Sequence, residues 1–140
     1  MVLTKTQSIL IHVVDDVEMD LYICNYVIER NWERSIVQKF TDGLQAIDYL
    51  HQHKGLPEKI PDVILLDINM PRMNGFEFLD AFQNFPESVR RKCKIFVLSS
   101  TFDALEIKKA QNHPCVVSFI EKPISLEKLE KIKRLCNSEI

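Results

Sequence analysis

The chain has 140 residues, 18 of them basic and 20 acidic, a net charge of −2 and an apolar fraction of 46%. That length suits one domain with a good core and is short for two, and the balanced charge points away from nucleic acid and anionic membrane as partners. No apolar run nears the ~20 residues of a membrane span, and Met1 to Gln7 lacks the basic-then-apolar pattern of a secretory signal.

Taken in chain order, Ile9-Leu10-Ile11-His12-Val13-Val14 is a strand-like run that ends in Asp15-Asp16. Leu21, Ile23, Cys24, Val27 and Ile28 then recur near helical spacing and predict a helix from Glu18 to Arg30. Ile36 to Phe40 reads as a short second strand, and Thr41-Asp42-Gly43 offers a cap for a helix striped by Leu44, Ile47 and Leu50. His51 to Pro61 is polar, holds Gly55, Pro57 and Pro61, and reads as a loop. Val63-Ile64-Leu65-Leu66 is apolar without alternation, as in a parallel strand covered on both faces, and it runs straight into Asp67.

Beyond Pro71 and Gly75, a helix carrying Phe76, Leu79, Phe82 and Phe85 extends toward Pro86, and Glu87 to Lys92 is a charged connector with room for one helical turn. The strand Ile95 to Leu98 ends in Ser99-Ser100-Thr101; a helix with Leu105 and Ile107 spans Asp103 to Ala110. Val116 to Ile120 is the last strand and ends in Glu121-Lys122-Pro123, after which Ser125 caps a helix striped by Leu126, Leu129, Ile132 and Leu135/Cys136. Five βα units in succession argue for a parallel sheet with helices on both faces. The pattern fills residues 8 to 136, so residues 1–140 read as a single domain without an output domain. Cys24, Cys93, Cys115 and Cys136 form no CxxC pair and read as buried thiols of a reducing cytoplasm.

In open α/β sheets the carboxyl ends of the strands carry the site. Here Asp15, Asp16, Asp67, Ser99 and Lys122 would all converge on that edge. Crowded carboxylates repel by about 3 kcal/mol per pair at about 5 Å and an effective dielectric of ~20. Either a proton or a cation must relieve this, and a hard divalent cation, Mg²⁺ (or Mn²⁺), suits an all-oxygen ligand set that leaves room for phosphate oxygens. Lys122 adds a compact positive charge for a phosphoryl oxygen. An aspartate beside both is a plausible nucleophile toward phosphorus.

With these residues in place the chain resembles the receiver domains of two-component response regulators, over about Ser8 to Cys136. The matching features are Val14-Asp15-Asp16, Leu66-Asp67-Ile68-Asn69-Met70-Pro71-Arg72-Met73-Asn74-Gly75, Ser99-Ser100 and Lys122-Pro123. The resemblance implies a three-layer flavodoxin-like (βα)5 fold with a five-stranded parallel sheet in the order 2-1-3-4-5. It implies that Asp67 accepts a phosphoryl group from a histidine kinase in a phosphorelay. Asp16 would ligate Mg²⁺ directly, Asp15 through water, and Asn69 by its backbone carbonyl. Ser99 would be the switch hydroxyl, Lys122 the phosphate-pairing lysine, Pro123 the residue of a cis bond that aims it, and Phe119 the switch aromatic. Val17 stands where the family often has a third acid, and Ser100 and Thr101 would tune water access and phosphate lifetime.

Implied partners are a sensor histidine kinase or phosphotransfer protein and a downstream protein. The downstream protein would meet a face with Ile107, Lys108, Gln111, Phe119 and the exposed side of Glu127 to Lys133. The chain would be a monomer or weak dimer and a signalling phosphoprotein of bacterial type, not a metabolic enzyme. Taken singly, each aspartate could be a cap, Ser99 a helix cap, Lys122-Pro123 a surface loop and Phe119 core. His12 reads as a hydrogen-bonded core or edge histidine, and His51 and His53 share no helix face. A Mg²⁺-dependent phosphohydrolase would want an acid at position 69, which is Asn. A flavin- or nucleotide-binding module would want a Gly-rich loop, and only Gly43, Gly55 and Gly75 exist. A receiver-like scaffold that is never phosphorylated stays open at this point.

Overall fold

The computed structural model describes residues 8–137, so Met1 to Gln7 lie outside the described residues. Its elements are β1 (Ile9–Val14), α1 (Glu18–Asn31), β2 (Ser35–Phe40), α2 (Gly43–His53), β3 (Val63–Leu66), α3 (Gly75–Phe82) and α4 (Glu87–Lys92), followed by β4 (Lys94–Ser99), α5 (Ala104–Asn112), β5 (Val116–Glu121) and α6 (Leu126–Asn137). A 3-10 turn over Pro57–Lys59 interrupts the loop before β3. The strands form one all-parallel sheet in the order β2-β1-β3-β4-β5, the flavodoxin-like order.

Alternation along the central strands divides the core into two layers. Ile64 and Leu66 of β3 join Val14, Ile95 and Val97 and pack with Ala46, Ile47 and Leu50 of α2 and Phe78, Leu79 and Phe82 of α3. Val63 and Leu65 face the other way, with Ile11, Val13, Phe96 and Leu98, against Leu21, Cys24 and Ile28 of α1 and Leu129, Ile132 and Cys136 of α6. All four residues of β3 are buried because both faces of the strand are covered. At ~1.5–3 kcal/mol for each large side chain removed from water, these layers dominate the stability.

Five helices are expected from the βα pattern, and the structure adds a sixth. The connector Glu87–Lys92 is the short helix α4, which buries Val89 and places Arg90, Arg91 and Lys92 in its last turn. α3 stops at Phe82, and Phe85 is buried beyond the helix end. Its inner stripe is Phe78-Leu79-Phe82, while the half-buried Phe76 lies under the Lys109 ammonium, 4.2 Å from the ring centroid. In α5 the inward residue is Ala110, and Leu105 is exposed. Leu126 likewise faces outward at the start of α6.

The cysteines among the described residues are free thiols, and burial pushes Cys24, Cys93 and Cys136 up to about 12. His12 is buried and bonds Gln38 Oε1 at 2.9 Å, with the rings of Phe40 and Tyr49 at 4.8 and 4.9 Å. Burial pushes its imidazole down to about 4 against the pull of that hydrogen bond.

Candidate functional site

Strand register builds the site. Val14 of β1 lies beside Leu66 of β3, so Asp15 and Asp67, the next residue of each strand, emerge side by side, and the Asp67 amide donates to the Val14 carbonyl at 3.0 Å. On the other side of β3, Leu66 pairs with Val97, and β4 carries on to Ser99 at the same edge. Ser99 in turn pairs with Glu121, and the Lys122 amide donates to the Ser99 carbonyl at 2.9 Å. A bulge matters here: Ile95 pairs with Val116 but Phe96 with Ser118, so Val117 is the extra residue on β5. It sets the rest of β5 back by one residue against β4, which brings Lys122 next to Ser99 and keeps Phe119 on the same face as Val97.

Asp15, Asp16 and Asp67 each offer a carboxylate oxygen, all within 4.8 Å of one another. Asp15 and Asp67 are buried while Asp16 is exposed. Backbone amides fix the two buried groups: Asp15 Oδ1 accepts from Val17 N at 2.9 Å and Asp67 Oδ1 from Ile68 N at 2.8 Å. Lys122 Nζ donates to Asp15 Oδ2 at 2.6 Å and to Asp20 Oδ2 at 2.8 Å, and lies 3.5 Å from Asp67 Oδ2. Burial pushes the Asp67 carboxyl up to about 6; the Lys122 charge opposes this and the Asp15 charge adds to it. Burial likewise outweighs the Lys122 and Val17 hydrogen bonds and raises Asp15. For Lys122 the balance is reversed: burial alone would lower it, but the bonds to Asp15 and Asp20 and the nearby Asp67 raise it above its ordinary value.

The donor set is oxygen throughout and carries more negative charge than one ammonium offsets, which fits a hard divalent cation such as Mg²⁺ or Mn²⁺. Asn69 lies exposed two residues past Asp67. Ser99 is buried, Ser100 exposed and Thr101 half-buried. Ser99 Oγ accepts from the Thr101 amide at 3.2 Å, and the Thr101 hydroxyl donates to Glu106 Oε1 at 2.7 Å. Phe119 is half-buried against the α3–α5 layer, and the Lys122–Pro123 peptide is cis. Asp15, Asp16, Asp67, Asn69, Ser99, Ser100, Thr101, Lys122 and Pro123 therefore lie on or beside the carboxyl edge, whereas Phe119 sits within β5, two residues before its end.

Sequence reasoning missed Asp20, a second hydrogen-bonding acid on Lys122. It also missed the reason for Gly75. A Cβ there would lie 2.5 Å from the Asp67 carbonyl oxygen and 2.8 Å from Ile68 Cα, and the Gly75 amide donates to the Ile68 carbonyl at 2.8 Å. Only hydrogen fits where α3 folds back on the residue that follows the central aspartate. α3 starts at Asn74-x-x-Glu77, a reciprocal capping box with both bonds at 2.9 Å.

Fold and site together define a flavodoxin-like α/β domain with an acid cluster and one lysine at the strand ends. The family model of the response regulator receiver domain matches residues 11–134, and the chain belongs to that family of two-component signalling domains. It is 28% identical to the probable methanogenesis regulatory protein FilR2 of Methanothrix harundinacea, covering 93% of this chain and 82% of that protein. It is 33% identical to an uncharacterised response regulatory protein of Staphylococcus epidermidis over 66% of this chain but only 32% of that longer protein. Among solved structures, a two-component response regulator from Cytophaga hutchinsonii superposes with a TM-score of 0.84 at 26% identity, over 95% of this chain and 100% of that one. A response regulator receiver protein from Dyadobacter fermentans gives a TM-score of 0.77 at 33% identity, over 91% and 98% of the two chains. Among the described residues no helix is long and apolar enough to cross a membrane.

Proposed function

We propose that Asp67 is the phosphoacceptor of a receiver that takes its phosphoryl group from a sensor histidine kinase or phosphotransfer protein. The observation that carries this reading is the Asp15–Asp16–Asp67 cluster with Lys122 Nζ 3.5 Å from Asp67 Oδ2. An Asp67 oxygen attacks phosphorus, a new O–P bond forms, and the P–N bond to the donor imidazole breaks with its electron pair leaving on nitrogen. Lys122 then pairs with a phosphoryl oxygen as a point charge. Mg²⁺ (or Mn²⁺) would be held by Asp16, Asp67 and the Asn69 backbone carbonyl, with Asp15 acting through water, and would supply charge neutralisation for carboxylates and phosphoryl oxygens alike.

Ser99 turns its hydroxyl from the Thr101 amide to the phosphoryl group, which draws the β4–α5 loop inward and changes the space open to Phe119. Ser100 and Thr101 border the path of hydrolytic water, and Pro123 aims the lysine. The readout is a face of α5, β5 and α6 with Ile107, Lys108, Gln111 and the outer side of Glu127 to Lys133, met by a downstream protein in the cytoplasm. The protein is on this reading a signalling phosphoprotein rather than a metabolic enzyme. Intact-mass analysis after incubation with acetyl phosphate and Mg²⁺ tests it. One phosphoryl adduct on the wild type, absent from Asp67→Asn and from a metal-free control, is the expected result. No adduct with the cation bound would leave the unphosphorylated scaffold standing instead.

A further inference from the structure

Of the three carboxylates around Lys122, Asp20 is the one outside the cation cluster. The ammonium has three N–H groups, and its two good hydrogen bonds go to Asp15 and Asp20, while Asp67 stands at 3.5 Å. A cation shared by Asp15, Asp16 and Asp67 draws on the charge of two of the lysine's partners and repels the ammonium. Asp20 shares Lys122 with Asp15 but is not one of the three clustered acids, so its hold on Lys122 persists. Its place is fixed by the first turn of α1, where the helix dipole favours a carboxylate. Lys122 and Asp20 line a small cleft together with Ile23, Cys24, Leu98, Pro123 and Ile124.

We propose that Asp20 is a positioning residue that competes with the phosphoryl group for the Lys122 ammonium and so weakens the site's affinity for phosphoryl ligands. The inference rests on Asp67 being the phosphoacceptor. Asp20 stands in the first turn of α1, after the uncharged N-cap Val17, and its carboxylate is aimed at the lysine. With Asp20 in place, binding a phosphoryl oxygen requires Lys122 to give up a charge-assisted hydrogen bond of 2.8 Å. A long flexible stem makes that exchange without backbone movement. The resting site is thereby biased against the phosphorylated state, and its Mg²⁺ affinity is left nearly untouched.

The test titrates the full chain with trifluoroberyllate at saturating Mg²⁺, and separately with Mg²⁺ alone, by calorimetry. Asp20→Asn is expected to bind trifluoroberyllate about tenfold tighter, equivalent to ~1.4 kcal/mol, with Mg²⁺ affinity within about twofold of wild type. Asp20→Ser should move in the same direction and guards against a folding defect peculiar to one variant. Asp20→Glu should restore the wild-type value, and Asp20→Asn should have no effect in a Lys122→Ala background. Unchanged or weaker binding by Asp20→Asn overturns the competition, and so does an effect that persists without Lys122. A wild type that binds Mg²⁺ but takes no trifluoroberyllate overturns the phosphoacceptor reading itself, and the inference falls with it.

Discussion

Replacing Asp67 by asparagine should make the metal-free protein more stable at neutral pH, because it removes a charge that the fold holds against its preference. Asp67 is buried, and its pKa rises from 3.8 to about 6. About two units at 1.36 kcal/mol each gives roughly 3 kcal/mol against the ionised native state. A folded pKa above the unfolded one favours the native state fully below the unfolded pKa, near 4, and that advantage is gone once the pH has risen past about 6. Wild type and Asp67→Asn should therefore have nearly equal stability near pH 4. The variant should pull ahead between pH 4 and 6 and keep a lead of about 2–3 kcal/mol at pH 7.5. Urea unfolding in EDTA, followed by the fluorescence of Trp32, measures this with one probe, since Trp32 is the single tryptophan and is buried. The difference between the two proteins matters, not either curve alone, because His12 titrates in the same window with the opposite sign. A variant no more stable than wild type at pH 7.5, or a gap that stays constant down to pH 4, would refute the claim that buried charge strains this site.

The remaining expectations concern the cation, the loop and the buried histidine. Mg²⁺ at about 100 times its Kd should stabilise wild type by ~2.7 kcal/mol; EDTA should reverse this, and Asp16→Asn should need markedly more Mg²⁺ for the same shift. Gly75→Ala should cost about 2 kcal/mol or more, since its Cβ would meet backbone at 2.5 Å, whereas Gly55→Ala, with nothing within 4 Å, should stay within ~0.5 kcal/mol of wild type. His12, held down at about 4, contributes stability that is present above the ordinary histidine range and lost as pH falls toward 4. His12→Gln should flatten that acid loss in the same urea experiment, and an unchanged acid limb would show that His12 is not its source.

The sequence by itself determined the strands and what ends them. Four apolar residues before Asp67, and a six-residue run apolar but for His12 before Asp15, read as strands covered on both faces, and the parallel order follows from the intervening helical periods. Placing Asp15, Asp67, Ser99 and Lys122 at one edge follows from that order, because each directly ends or follows its strand. The chain's periodicity erred where two stripes compete. Phe76 and Phe78 are equally apolar, and only the packing of α3 on the sheet decides that Phe78 is inside. The helix α4 was legible only as a connector with room for one turn, because it buries a single side chain, Val89, and shows no stripe.

The tertiary structure alone decided three things about the site. The extra residue Val117 sets the rest of β5 one step back against β4, and a bulge has no composition that distinguishes it from an ordinary strand residue. Gly75 is required by the backbone of a loop seven residues earlier, a contact that spacing cannot express. Asp20 looks like an ordinary acid in the first turn of a helix, which the dipole explains without function. Its bond to Lys122 spans 102 positions of sequence and exists only because α1 and the end of β5 flank the same edge of the folded sheet.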